Sequence, residues 1–251
     1  DVGGSYTINK LASLFGRVNY NYDSRYYLSG TLRYDGSSRF GESNKFGVFP
    51  AVSAAWRISD ESFFPKGIYI DDMKIRASWG VMGNSNIGNF ASRGLFGIGS
   101  FYNGNSGIAP SQLANPDLEW EQTSTYNIGF NLKMFGGRVD ISGDYYKKFS
   151  TKLLQEKRLP TTSGFSSVWQ NVGELENQGA EFELNTVNLK YEGFQWTSNF
   201  NISFNKNKIT KLVDNQQEIK SIPLKVGEPI GVYYIYNWAG VNPADGRPMY
   251  Y

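Results

Sequence analysis

The sequence contains neither cysteine nor histidine among its 251 residues. Without cysteine there are no disulfides or thiolate metal sites, and without histidine there is no imidazole ligand and no histidine general base. Lys and Arg number 25 against 23 Asp and Glu, and a net charge of +2 gives no reason to expect a nucleic-acid partner. The sequence also lacks an oxygen-rich calcium loop of the EF-hand type. We expect no catalytic residue, no metal site and no cofactor.

Long apolar runs are absent as well. No stretch reaches the roughly 18 apolar residues of a transmembrane helix. A membrane-spanning strand needs no such run, because only every second side chain meets lipid. The sequence starts at Asp1 with DVGGSYTINK and has no initiator methionine or signal peptide. We expect it to be an internal piece of a longer chain.

The sequence instead contains segments in which apolar and polar residues alternate. In RYYLSGTLRYDGSSRFG (25–41) apolar and polar residues alternate and then give way to a polar, glycine-rich run. Most such segments are about 9–11 residues long, the length of a tilted transmembrane strand. A ninth segment is predicted to begin near Gly231. The eight predicted strands are Leu11–Tyr22, Arg25–Asp35, Phe46–Ile58, Met73–Gly83, Leu118–Lys133, Arg138–Lys147, Gly179–Val187 and Phe194–Asn205.

The connections alternate in length. The first two segments are joined by Asp23-Ser24 alone, and the fifth and sixth by a link that contains Gly136-Gly137. Between them lie long connections rich in Gly, Asn and Ser, such as residues 84–117. Tight turns on one side and long loops on the other are typical of outer-membrane β-barrels. We predict an all-β, antiparallel transmembrane barrel segment of about eight or nine strands.

None of the residues assigned to one face of the eight predicted strands is charged. A charge facing lipid costs about 2–4 kcal/mol at the bilayer midplane, but a buried sandwich core excludes charge too. Strand length, alternating loops and aromatic residues at strand ends, such as Tyr22 and Trp56, favour lipid. The residues predicted to face lipid are Leu28, Leu32, Ile128, Phe130, Ile141, Phe200 and Ile202.

The opposite face is predicted to line a lumen, and on the last strand it carries Asn199 and Asn201. Two loops supply further candidates for contact with a solute: Arg39 in DGSSRFG (35–41), and Phe101 and Tyr102 in residues 84–117, where aromatic side chains among amides suit sugars or peptides. A plain wall or loop role is the alternative for each candidate. The paired carboxylates, such as Asp140 with Asp144, lie along single strands and indicate wall rather than a glycosidase pair. The candidate contacts are Arg39, Phe101, Tyr102, Asn199 and Asn201.

A series of motifs runs from about Leu11 to the end of the chain, and it includes KFGVFPAVSAAWRISDESFF, KIRASWGVMGNSNIG, NPDLEWEQTSTYNIGF, NVGELENQGAEFELN and VGEPIGVYYIYNWAGVNPADGRPMYY. These motifs, in this order, resemble the SusC/RagA-like group of TonB-dependent outer-membrane transporters. The resemblance implies a 22-stranded barrel around a plug, a SusD-like lipoprotein lid and energy from TonB. Residues 1–251 would then be a partial barrel domain without the plug, the signal peptide and the closing strands.

The resemblance implies active import of a bulky nutrient, a glycan or an oligopeptide, across the outer membrane. Two alternatives remain open at this point. A soluble carbohydrate-binding β-sandwich would also suit the aromatic and asparagine content. A passive porin would share the barrel but would lack the plug.

Overall fold

The computed structural model describes residues 6–65, 69–219, 223–233 and 235–251, without the side chains of Ser100 and Tyr102. In chain order the strands are β1 (Leu11–Tyr22), β2 (Tyr26–Ser37), β3 (Phe46–Arg57), β4 (Ile70–Asn84), β5 (Leu95–Tyr102), β6 (Asn105–Gln112), β7 (Glu121–Met134), β8 (Val139–Thr151), β9 (Leu154–Arg158), β10 (Ser167–Asn171), β11 (Glu174–Tyr191), β12 (Phe194–Lys211), β13 (Glu218–Ile219), β14 (Leu224–Lys225), β15 (Trp238–Val241) and β16 (Pro248–Tyr250). Single 3₁₀ turns lie at Glu42–Asn44, Ile58–Asp60, Thr161–Ser163 and Val213–Asn215.

Eight of these strands form one sheet, in the order β1-β2-β3-β4-β7-β8-β11-β12. Every neighbouring pair is antiparallel. The remaining strands form four two-stranded hairpins: β5 with β6, β9 with β10, β13 with β14, and β15 with β16. The β5–β6 and β9–β10 hairpins lie within the long connections, and the β13–β14 and β15–β16 hairpins follow β12. The predicted antiparallel sheet of eight strands is confirmed.

The predicted strand bounds differ most for β11 and β12. The sequence pattern predicts that β11 begins at Gly179, but the strand begins at Glu174. The pattern predicts that β12 ends at Asn205, but the strand continues to Lys211. Apolar residues become sparse in these extensions, so the alternation fades, but backbone hydrogen bonding between the two strands continues. The strands therefore extend beyond the apolar part of the sheet.

The ninth predicted strand does not form where the pattern placed it. Residues 231–233 and 235–237 lie outside strands, and a strand begins only at Trp238. Gly231 has a φ of +85°, which breaks extended geometry at the start of the segment. Trp238 pairs instead with Tyr250 in the local hairpin of β15 and β16.

The alternation of connection lengths is confirmed. Asp23 and Ser24 both have positive φ, 51° and 54°, as a type I′ turn requires, and the amide of Arg25 bonds to the carbonyl of Tyr22 at 3.0 Å. A two-residue link at 192–193 joins β11 to β12, with Gly193 at φ +76°. Connections at the opposite end of the sheet span 38–45, 85–120 and 152–173. We call the two ends the turn end and the loop end.

The sheet is a single layer in the described part of the chain. The buried core cluster lies at its loop end and consists of Phe40, Phe49, Ile87, Ala91, Leu118 and Trp120. No helix among the described residues is long and apolar enough to cross a membrane. A sandwich would place its core between two sheets along the strands, so the sandwich alternative does not fit this architecture.

Candidate functional site

The uncharged face of the sheet is solvent-exposed in the isolated chain. Leu28, Ile128 and Phe200 are each more than half exposed, at 51, 55 and 52%. Cross-strand partners place them in continuous rows. One row runs through all eight strands as Tyr20, Leu28, Ala54, Ala77, Ile128, Tyr145, Ala180 and Phe204. We call the large uncharged side chains of this face the apolar band; it contains all seven residues predicted to face lipid.

The apolar band crosses the sheet obliquely. On β12 its last member toward the loop end is Phe204, in the row of Tyr20, whereas on β1 the band continues six residues further, to Leu14. This descent of about 20 Å over a sheet width of about 34 Å is a slope of about 30°. Transmembrane strands tilt by about 35–45°. A band that is level in a bilayer must cross a tilted sheet in this way.

The lower edge of the band moves in the same direction. On β1 the strand ends at Tyr22, and Tyr22 shares its row with Ile202 of β12. On β12 the large side chains continue below Ile202 to Trp196, at the turn end. The upper and lower edges of the band therefore slope in the same direction. A hydrocarbon layer of constant thickness around tilted strands explains this parallel slope, whereas packing against a second protein sheet would not impose it.

The other face of the sheet is polar. One of its rows consists of hydroxyl and amide side chains on five successive strands: Asn19, Ser29, Ser53, Ser78 and Asn127. Ser29 donates to Oδ1 of Asn19 at 2.8 Å. Such a row exposes hydrogen-bond donors and acceptors without net charge.

Ion pairs occupy the polar face toward the turn end. Arg57 Nε lies 3.1 Å from Asp72, and Lys133 Nζ lies 3.7 Å from Asp140. Arg76 pairs with Asp144 across the intervening strand β7. The charges on this face are largely paired within the sheet, which fits a wall.

The candidate contacts Asn199 and Asn201 both lie exposed on the polar face. Asn199 donates to Oδ1 of Asn185, whose own amide donates to Glu183 at 2.9 Å. Asn201 is the register partner of Glu183. These residues form one exposed amide and carboxylate group near the sheet edge, and their contact with a solute remains a prediction.

The candidate contact Arg39 is held within the loops. Its Nε donates to Oδ1 of Asn89 at 3.1 Å and its NH1 to the carbonyl of Ser85 at 3.0 Å. The hydroxyl of Ser92 donates to the backbone carbonyl of Arg39 at 3.3 Å. Arg39 thus joins the second connection to the long loop before β7, and a role toward a solute stays a prediction.

Long-range bonds join the loops into a cap over the loop end of the sheet. Trp120 donates from Nε1 to the carbonyl of Lys45 at 3.0 Å. Asn171 donates to the carbonyl of Glu119 at 2.7 Å and accepts from its amide at 2.8 Å. The buried core cluster lies among these bonds, so the cap is packed rather than loose.

The β5–β6 hairpin carries the remaining candidates. Two phenylalanines of β5 are strongly exposed, Phe101 at 74% and Phe96 at 71%. Both rings are therefore available to a ligand or a partner. The backbone of Tyr102 ends β5 opposite Asn105, and its side chain lies outside the described part of the structure. Contact of Phe101 and Tyr102 with a solute is therefore untested.

A buried carboxylate that the sequence pattern does not reveal lies at the turn end. Glu61 is 8% exposed and accepts a hydrogen bond from Tyr26 and another from Trp56 Nε1 at 2.9 Å. Arg25 NH1 lies 3.6 Å from its second oxygen. The hydrogen bonds from Tyr26 and Trp56 hold the pKa of Glu61 below its ordinary value. The contact spans 35 residues, which periodicity cannot detect.

The chain matches the family model described as "TonB dependent receptor-like, beta-barrel" over residues 2–246. The chain belongs to this family. It is 40% identical over 244 residues to TonB-dependent receptor P39 of Formosa agariphila, covering 97% of the chain and 24% of that relative. It is 33% identical over 266 residues to TonB-dependent receptor SusC of Bacteroides thetaiotaomicron, covering 97% of the chain and 26% of SusC.

A solved structure titled as the RagAB peptide transporter matches the chain with a TM-score of 0.89 at 28% identity. The match covers 97% of this chain and 27% of that one. The SusC/RagA-like resemblance seen in the sequence is confirmed. The chain spans about a quarter of the length of the curated relatives it matches.

Proposed function

We propose that this chain forms part of the wall of a TonB-dependent importer that carries a bulky nutrient across the outer membrane. The observation that carries the proposal is the oblique apolar band backed by a polar face of amides, hydroxyls and paired charges. Hydrocarbon would cover the band, and the polar face would line the lumen. Family membership favours an importer over a passive porin.

The solute we propose is a glycan or an oligopeptide. The neutral row from Asn19 to Asn127 offers hydrogen bonds to hydroxyl and amide groups alike, and the exposed Phe96 and Phe101 offer faces for sugar rings or side chains. One related structure is titled a peptide transporter, which supports the oligopeptide. We further propose a SusD-like lipoprotein over the loop end and coupling to TonB, within a 22-stranded barrel.

Uptake measurements test this proposal. Cells that carry the intact gene and cells without it are compared for uptake of size-fractionated fluorescent oligosaccharides and oligopeptides. We expect one class to require the gene and to stop entering when a protonophore removes the inner-membrane gradient. Gene-dependent uptake that persists with the protonophore would replace the importer by a passive porin. Equal uptake with and without the gene would contradict both.

A further inference from the structure

On the face that carries the apolar band, charged side chains cluster at the loop end of β8, β11 and β12. Lys147, Gln178 and Lys206 are direct register partners there, one row outward from Tyr145, Ala180 and Phe204. The next row contains Glu176 beside Lys208. We call Lys147, Glu176, Gln178, Lys206 and Lys208 the basic patch.

Contacts confirm which face the patch occupies. Lys147 Nζ lies 3.1 Å from Glu176 Oε1 and 4.9 Å from the ring of Phe149, two residues along the same face. Tyr145, a member of the apolar band, donates to Oε1 of Gln178 at 3.3 Å. Lys148, the next residue in β8, lies instead over the ring of Tyr146 on the polar face. The patch is thus continuous with the apolar band and directly beyond its edge.

The patch carries a surplus of positive charge. Its three lysines face one carboxylate, Glu176, which pairs with Lys147, and the adjoining Glu174 is itself paired with Lys211 at 3.8 Å. In the described part of the chain, neither Lys206 nor Lys208 has a carboxylate within 4.0 Å. Lys206 is exposed, and Lys147 lies two strands away from it, about 10 Å. Flexible lysine side chains can bridge that distance to one headgroup.

We propose that the basic patch binds the phosphate of a lipopolysaccharide in the outer leaflet. This rests on the proposed membrane position, in which the loop end faces outward and the band ends at the interface. An acyl chain would lie along Tyr145 and Phe204 while the phosphate meets Lys206, Lys208 and Lys147. Lysines at this depth bind anionic headgroups, and charge-assisted hydrogen bonds to phosphate are strong. The carboxylate of Glu176 weakens the site.

The test uses the full gene product in detergent, with lipid binding followed by native mass spectrometry. The probes are phosphorylated lipid A, dephosphorylated lipid A and phosphatidylglycerol. We expect phosphorylated lipid A to bind best, and Lys147→Gln/Lys206→Gln/Lys208→Gln to weaken it at least about tenfold. The matched control Lys74→Gln/Lys133→Gln/Lys148→Gln removes the same charge from the polar face and should leave binding unchanged.

Two further results decide the proposal. Glu176→Gln removes the opposing carboxylate and is expected to tighten binding, which keeps the proposal testable even where the triple variant folds poorly. Equal weakening by both triple variants, or equal binding of dephosphorylated lipid A, would overturn a phosphate site. Equal binding of phosphatidylglycerol would overturn its assignment to lipopolysaccharide. Solute uptake by cells with and without the intact gene is a separate readout: it tests the importer, whereas lipid binding by these variants tests the patch.

Discussion

Tyr26 and Glu61, 35 residues apart, are joined by a hydrogen bond from the phenol to the carboxylate. Trp56 donates to the same oxygen at 2.9 Å. The bonds attach the connection after β3 to the turn ends of β2 and β3. There Tyr26 and Trp56, two aromatic residues of the apolar band, would lie at the membrane–water interface. Glu61 therefore anchors this connection.

Glu61→Gln is expected to lower the thermal midpoint in a pH-dependent way. The pKa of Glu61 is lowered from 4.5 by the bonds from Tyr26 and Trp56. A carboxylate whose pKa is lower in the folded than in the unfolded protein stabilises the fold at pH values above its unfolded-state pKa. This stabilisation is lost as the pH falls through the folded-state pKa. Unfolding in detergent across acid to neutral pH should show the gap between wild type and variant shrinking below pH 4.5.

The exposed turn residue Glu192 provides the control for that experiment. Glu192→Gln removes an exposed carboxylate from the short link between β11 and β12. Unlike Glu61, Glu192 is not held between neighbouring aromatic side chains within the described part of the chain. Its midpoint should follow the wild type at every pH. A gap for Glu61→Gln that stays constant down to strong acid would show that the carboxylate charge contributes nothing.

The strand pairs were predictable from the sequence where period-2 alternation is uninterrupted. β1 has the predicted bounds, Leu11–Tyr22, because every second residue must stay uncharged along its whole length. The anchor at Glu61 and the loop bonds of Arg39 were not predictable. They join segments 35 to 50 residues apart through single side chains, and such contacts leave no periodic trace.

Ser24→Gly is expected to stabilise the protein by about 1 kcal/mol. Ser24 adopts a φ of 54° in the β1–β2 turn, a conformation that costs a non-glycine residue energy and that glycine adopts freely. The carbonyl of Ser24 still accepts from Tyr27 at 2.6 Å in the variant. Thermal unfolding in detergent measures the change. Ser29→Gly, in the middle of β2, should destabilise instead.

Gly129→Ala is expected to destabilise the sheet by about 1–3 kcal/mol. A Cβ at Gly129 would lie 2.4 Å from Asp144 Oδ1 and 2.8 Å from the carbonyl of Gly143, at the Arg76–Asp144 ion pair. Gly30→Ala is the matched control, because its Cβ would meet nothing within 4 Å. Chemical unfolding of both variants tests the difference, and equal midpoints would contradict a close approach at Gly129.

Leu118→Ala is expected to loosen the loop cap. Leu118 is fully buried, and truncating a buried leucine costs about 2–5 kcal/mol. The cost should fall on the loops more than on the sheet, whose ladders do not include Leu118. Limited proteolysis should therefore cut residues 85–120 faster in the variant. Leu113→Ala, at a residue 38% exposed, should leave the cleavage rate near that of the wild type.

Ile128 and Asn127 are neighbours in β7 that face opposite sides of the sheet, and they test which side meets lipid. Ile128→Arg is expected to cost about 2–4 kcal/mol in a bilayer, whereas Asn127→Arg on the polar face should be nearly neutral. The chain has no cysteine, so a single cysteine at either position can be labelled alone. A water-soluble maleimide should label Asn127→Cys and spare Ile128→Cys in intact membranes, and a lipid-soluble reagent should do the reverse. Equal labelling of both positions by the water-soluble reagent would show that lipid does not cover the apolar band. It would contradict the proposal that this sheet is part of an importer wall.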